Sequence, residues 1–204
     1  MSVGVKLEAE RVLSELKALG QGFDQMPLLG VIGQRLLRWV MQNFRAAGTE
    51  KKWVPLSPNT IAGRRAGRIK KSQGAVRFRG RNVVGAAVSL SGAKPLQDTG
   101  RLRQSFVSKV RNMGTPYVEV GTENQIASFH EYGTKPYVIQ PKRARRLIFM
   151  TAGGVVFARK VNHPGLPQRK MLPSENMTVL LGMETMTKYL RQKIRDSRIS
   201  DGAA

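Results

Sequence analysis

PLLGVIGQRLLRWVMQNF, residues 27 to 44, decides the architecture of this chain. Its apolar side chains fall at Leu29, Ile32, Leu36, Leu37, Val40, Met41 and Phe44. Those steps of three and four line one face of a long helix. Pro27 suits the first turn, because the amide hydrogen it lacks would have no carbonyl partner there. Fully buried, each large apolar side chain contributes about 1.5–3 kcal/mol, so this helix is expected to anchor the core.

Outward from that helix the pattern changes in both directions. On the N-terminal side, leucines at 7, 13, 16 and 19 among charged residues predict an amphipathic helix closed by Gly20 and Gly22. On the C-terminal side, WVPLSPNT (53 to 60) holds two prolines and no sustained period. The next segment, 61 to 82, carries Arg64, Arg65, Arg68, Lys70, Lys71, Arg77, Arg79 and Arg81 among glycines. Like charges at that density repel and bury little, which predicts a flexible basic loop. Val83 to Leu90 reads as a strand or an adherent arm.

QDTGRLRQSF (97 to 106) reads as a helix start, with Asp98 or Thr99 accepting first-turn amides and Leu102 and Phe106 one turn apart on a single face. YVEVG (117 to 121) alternates as a strand, with SKVRN before it as hairpin mate. ENQIASFHEYG predicts a short helix stopped by Gly133, with Ile126, Phe129 and His130 turned inward. RRLIFM and VVFARKV, flanking TAGG, predict a β-hairpin, and NHPGLPQRKMLP an irregular loop. Glu175 to Ile194 predicts a closing helix with Val179, Leu180, Met183, Met186, Tyr189 and Leu190 as its apolar stripe. Residues 197–204 are expected to fray. The sum is one α+β domain over 1–204: a small antiparallel sheet packed by N-terminal and C-terminal amphipathic helices, with one long basic loop.

Composition bounds the chemistry. The 204 residues include no cysteine, which excludes disulfides and thiolate ligands or nucleophiles. No run of about 18 apolar residues occurs, and Glu8, Glu10 and Glu15 lie where a basic leader would be, so neither a membrane span nor a secretory signal is expected. The formal net charge of +22 predicts salt-sensitive attraction to polyanions. Residues 51 to 111 hold fifteen basic side chains against Asp98 alone, and 135 to 170 hold nine against none, so the charge is internal to the chain and not a tail.

FHEYGT (129 to 134) places three reactive side-chain types in a row. On a helix, His130 and Glu131 point about 100° apart and cannot both close on one metal, and His163 is the only other histidine. His130 therefore reads as hydrogen-bonded packing or a subunit contact. Ser105, Ser128 and Ser174 lack a nucleophile elbow, and AGRRAGR lacks the lysine and hydroxyl ending of a phosphate loop. No catalytic, cofactor-binding or metal-binding residue is assigned, and the chain is not expected to be an enzyme. Phe78 alone interrupts the arginines of the basic loop, too little for base stacking, so any DNA contact is expected to be non-specific and directed to the backbone.

WVPLSPNT at 53 to 60, LQDTGRLRQSF at 96 to 106, VEVGTENQIASFHEYGT at 118 to 134 and NHPGLPQRKML at 162 to 172 also occur in that order in a known family. Over about residues 5 to 192 the chain resembles the virion morphogenesis or tail-completion proteins of tailed bacteriophages, the group that includes the Mu-like G protein. The resemblance maps Trp53, Pro55, Leu56 and Ser57 to the family's turn, and Asp98, Thr99, Gly100 and Leu102 to its helix start. Gly121, His130, Gly133 and Thr134 match its strand-to-helix unit, and Pro164, Gly165 and Pro167 its proline loop. Between Thr60 and Leu96 this chain departs from the family, inserting Gly, Ala and Val among arginines. What the resemblance implies is a structural virion protein, assembled in the host cytoplasm, that completes or terminates the tail and helps join it to the head. It implies a homo-oligomeric, hexameric ring around the DNA channel, with tail-tube and neck or connector proteins as neighbours, without cofactor or membrane. Arg64, Arg65, Arg68, Lys70, Lys71, Arg77, Arg79 and Arg81 are then candidates to meet DNA or the lumen. Trp53, Leu56, Asp98, Thr99, Leu102, Phe129, His130 and Tyr132 are candidates for the subunit interface.

Overall fold

The computed structural model describes residues 3–8, 24–66, 69–72, 75–78, 93–151 and 153–201. The helix over the opening stretch, α1 (Gln25–Ala46), begins two residues ahead of Pro27, where Asp24 caps it by accepting from the Met26 amide at 3.0 Å. Its inward face carries Leu28, Leu29, Ile32, Leu36, Trp39, Val40 and Phe44, with Leu37 and Met41 partly buried beside them. Ala47, in the left-handed conformation, ends it.

That face lies on an antiparallel sheet of order β1 (Val3–Glu8), β5 (Thr115–Thr122), β4 (Val107–Met113). Strands β4 and β5 form the expected hairpin, with Ser108 opposite Val120 and Val110 opposite Val118 on the face turned to α1. Strand β1 pairs with the other edge of β5, covering the stretch where a helix was expected to begin at residue 7; the rest of that segment, 9 to 23, lies outside the described residues. Helix α5 (Glu175–Asp201) packs on α1 and reaches β1. An α+β class with an N-terminal helix, a C-terminal helix and small antiparallel sheets is thereby established.

Smaller units decorate this frame. Helix α2 (Pro58–Ala66) occupies the start of the expected basic loop, docked by buried Ile61 and Ala62. Strands β2 (Ile69–Ser72) and β3 (Ala75–Phe78) pair as a hairpin in its middle. The segment 61–82 is therefore structured wherever it is described: two apolar side chains suffice to seat a helix, and hairpin pairing satisfies the backbone despite the like charges. The Val83 to Leu90 segment lies outside the described residues. After a one-turn helix, α3 (Arg101–Gln104), and α4 (Gln125–Tyr132), β6 (Tyr137–Ile139) pairs with β9 (Val161–His163). Strands β7 (Leu147–Thr151) and β8 (Gly154–Ala158) make a separate two-stranded ribbon packed against α2. Helix α5 continues to Asp201, through most of the stretch expected to fray.

Candidate subunit and polyanion surfaces

The FHEYGT stretch is a clasp. Asn124 caps α4 by accepting from the Ile126 amide at 3.0 Å, and Gly133 stops the helix at φ +75°. The following residues are laced to the proline-rich loop. The Thr134 amide donates to the Leu166 carbonyl at 3.0 Å, and the Leu166 amide returns a bond to Thr134 Oγ1 at 2.8 Å. The Arg169 amide donates to the His130 carbonyl at 2.7 Å, and the Met171 amide to Glu131 Oε2 at 2.7 Å. A Cβ on Gly165, at φ +91°, would overlap the Thr134 carbonyl, so only glycine passes there.

The same loop is tied to α1 and to the tryptophan motif. Asn43 Nδ2 donates to the Lys170 and Met171 carbonyls at 3.1 and 3.0 Å, while its Oδ1 accepts from the Thr49 amide at 2.6 Å. Trp53 Nε1 donates to the Lys170 carbonyl at 2.9 Å, and Arg169 donates from Nε and Nη2 to the Val54 carbonyl at 3.2 and 3.0 Å. Phe44 receives the rings of Trp53 and Phe106 edge-on, with centroids 5.4 and 5.6 Å away. Gln97 Nε2 donates to the Phe44 carbonyl. All four motif stretches thus meet around the C-terminal end of α1.

Burial raises the Glu131 carboxyl above its usual range, against the opposing pull of the Met171 and Leu172 amides and of Lys170. Burial, then the charges of Arg169 and Arg64, lower the His130 imidazole. Its Nδ1 is buried without a hydrogen-bond partner among the described residues. His130 is thus half-buried, with its backbone carbonyl bonded by the Arg169 amide and its ring Nδ1, expected to be bonded, without a partner among the described residues. Arg169, only 5% exposed, is itself lowered by burial and then by the nearby Arg64.

Several assigned positions fall elsewhere than expected. Trp53 is 6% exposed and belongs to the core, so it offers little surface to a subunit contact. Leu102 packs against the core, and Leu56 is half-buried. Asp98 and Thr99 are exposed but do not cap: Gly100 holds the N-cap position of α3, with no side-chain bond. Ile126 and Phe129 point outward with Tyr132, the last two at 52% and 70% exposure, whereas Ala127 and Glu131 turn in. The captured Glu131 carboxylate sets that rotation of α4, which hydrophobic counting alone could not anticipate. Arg64 is half-buried and donates to the Lys94 carbonyl at 3.0 Å. Arg65 lies on α2, Lys70 and Lys71 on β2, and Arg77 on β3; Arg68, Arg79 and Arg81 lie outside the described residues.

Among the exposed basic groups, Lys142, Arg143, Arg145, Arg146, Arg159 and Lys160 flank the ribbon strands in sequence, with others spread over the rest of the described surface. The outer face of β4 and β5 carries mixed charge instead, with Arg111 Nε 3.0 Å from Glu119 Oε2 and Lys109 Nζ 3.6 Å from Glu123. These pairs border a shallow groove of about 380 Å³. Among the described residues no group of three or more His, Asp or Glu could hold a metal, and no helix is long and apolar enough to cross a membrane. Sequence reading missed Asn43, Arg169 and the buried role of Glu131. The only signal for them was polar residues inside otherwise apolar or proline-rich runs.

Comparison with known protein families, curated proteins and solved structures finds no match to this chain.

Proposed function

We propose that this chain is a structural virion protein that completes or terminates a phage tail and helps join it to the head, acting as a homo-oligomeric ring around the DNA channel. One observation carries the reading: the four stretches on which the resemblance rests converge on the end of α1 and bond mainly to backbone groups. Side chains used that way hold a scaffold in shape. The +22 charge suits a part that sits beside DNA and acidic neighbours, because non-specific phosphate contacts still let DNA slide. The test is to remove the protein during particle assembly and to label it in finished particles. Separate filled heads and unjoined tails, with label at the head–tail junction, are expected; intact particles without the protein would refute the reading.

A second reading, a non-specific DNA-binding accessory protein, is favoured by the exposed cations of residues 142 to 160, a stretch with no carboxylate. It predicts duplex binding by the free protein that weakens steeply with salt, together with absence from purified virions.

A further inference from the structure

The β7–β8 ribbon is apolar on both faces. Directly paired residues of an antiparallel ladder share a face and successive residues alternate. The register Ile148 to Phe157 and Met150 to Val155 therefore puts these four side chains on one side. Val155 and Phe157 are exposed, Phe157 at 53%, so this is the open side, while α2 packs against the ribbon. A two-stranded ribbon is marginal by itself. An apolar face on it, rimmed by the exposed cations Arg143, Arg145, Arg146 and Arg159, fits an apolar partner edged with carboxylates.

This chain itself offers such a surface. Helix α5 buries Thr178, Leu181 and Thr185 and leaves Val179, Leu180 and Met183 on the opposite side, Met183 at 53% exposure. At about 100° per residue, Glu175 and Glu184 border that stripe on its two sides, Glu184 remaining partly exposed although it lies 3.8 Å from Arg35 of α1. Residues 171 to 187 contain those two carboxylates and no lysine or arginine, in a chain whose net charge is +22. Another exposed apolar stripe on a described helix, Ile126, Phe129 and Tyr132 on α4, is followed by Lys135 and lacks that acidic border on both sides.

We infer that the open face of the β7–β8 ribbon docks on the outer face of α5 in a second copy of this chain. The contact joins two different surfaces, so each copy has one of each to offer and the copies chain head to tail, closing when the rotation allows. The inference rests on the proposed ring but is tested on the isolated protein, so its failure is separable from failure of the virion assignment.

The absence of native cysteine makes disulfide trapping clean. Two single-cysteine variants, Phe157→Cys and Met183→Cys, are mixed in equal amounts and oxidised across a range of protein concentrations. A covalent dimer is expected from the mixture, with at most a trace from either variant alone, and a ladder of multimers from the doubly substituted chain. Phe157→Glu, folded by circular dichroism, is expected to weaken self-association at least tenfold by sedimentation. Efficient trapping of Phe157→Cys with itself, or with Phe129→Cys, overturns the pairing. So does a stable oligomer that gives no mixed disulfide, or a chain that stays monomeric throughout, even if the protein is then found at the head–tail junction.

Discussion

Helices α1 and α5 are the two long helices described in the chain, and their apolar residues have different fates. In α1 the stripe read from the sequence goes inward, with Leu36, Val40 and Phe44 fully buried. In α5 the expected stripe is split: Met186, Tyr189 and Leu190 pack against the core, but Val179, Leu180 and Met183 face solvent, and Thr178, Leu181 and Thr185 take the inner positions. Helix α1 has neighbours on two sides, the sheet and α5, and so uses a wide apolar face. Helix α5 has one main neighbour and uses a narrow face. Threonine tolerates that face because its hydroxyl donates one turn back: Thr178 to the Ser174 carbonyl at 2.8 Å and Thr185 to the Leu181 carbonyl at 2.6 Å. A buried threonine thus leaves no polar atom unpaired, and hydrophobic counting overlooks it.

The contrast can be broken by truncating one residue from each helix. Phe44→Ala removes a fully buried ring with two aromatic neighbours and should cost about 3–5 kcal/mol in denaturant unfolding. Met183→Ala, on the open face of α5, should change the stability of the monomer by less than about 0.5 kcal/mol. Equal losses from the two would erase the distinction between a face used for the fold and a face kept for a partner.

A smaller loss sharpens the role of polar groups in α1. Asn43→Leu adds apolar area at a buried site yet strips partners from the Met171 carbonyl and the Thr49 amide. At roughly 1–3 kcal/mol for each group left unsatisfied, a net destabilisation of about 3 kcal/mol is expected. A neutral outcome would mean that the loop is held by shape alone. Gly165→Ala should cost about 1–3 kcal/mol by forcing the clasp apart, with faster amide exchange at Thr134 and Leu166 as its local signature.

These residues also show where sequence reading runs out. Helix α1, the β4–β5 and β7–β8 hairpins, α4 and α5 were legible because local periodicity and turn residues define them. The partition of each helix into inner and outer faces was legible only where neighbours crowd both flanks, as for α1. It failed for α4, whose orientation follows from one carboxylate meeting the Met171 amide forty positions away. Nor did it reveal that Trp53, in a stretch with two prolines and no sustained period, packs its indole on Phe44 in the core. The open ribbon face was readable in principle: LIFMT and GVVFA lack the apolar–polar alternation of a strand with one wet side.

The least perturbing test concerns the proline-rich loop that leads into α5 and is tied to α1 by Asn43, because the two titrating residues of α4 that it bonds act with opposite signs. Glu131 is raised in the fold, so its contribution to stability is complete below its ordinary value near 4.5 and is lost as pH climbs through the folded value. His130 is lowered, so its contribution is complete above about 6.5 and is lost as pH falls through the folded value. Glu131→Gln keeps an acceptor for the Met171 amide and should gain stability relative to the parent as pH rises above 4.5. His130→Asn should gain relative to the parent as pH falls below 6.5. Between those limits the two slopes oppose each other in the parent, so melting temperature should depend more steeply on pH in either single variant than in the parent or the double variant. If Glu131→Gln instead tracks the parent at every pH, the carboxylate is as well solvated folded as unfolded, and the clasp rests on its backbone bonds alone.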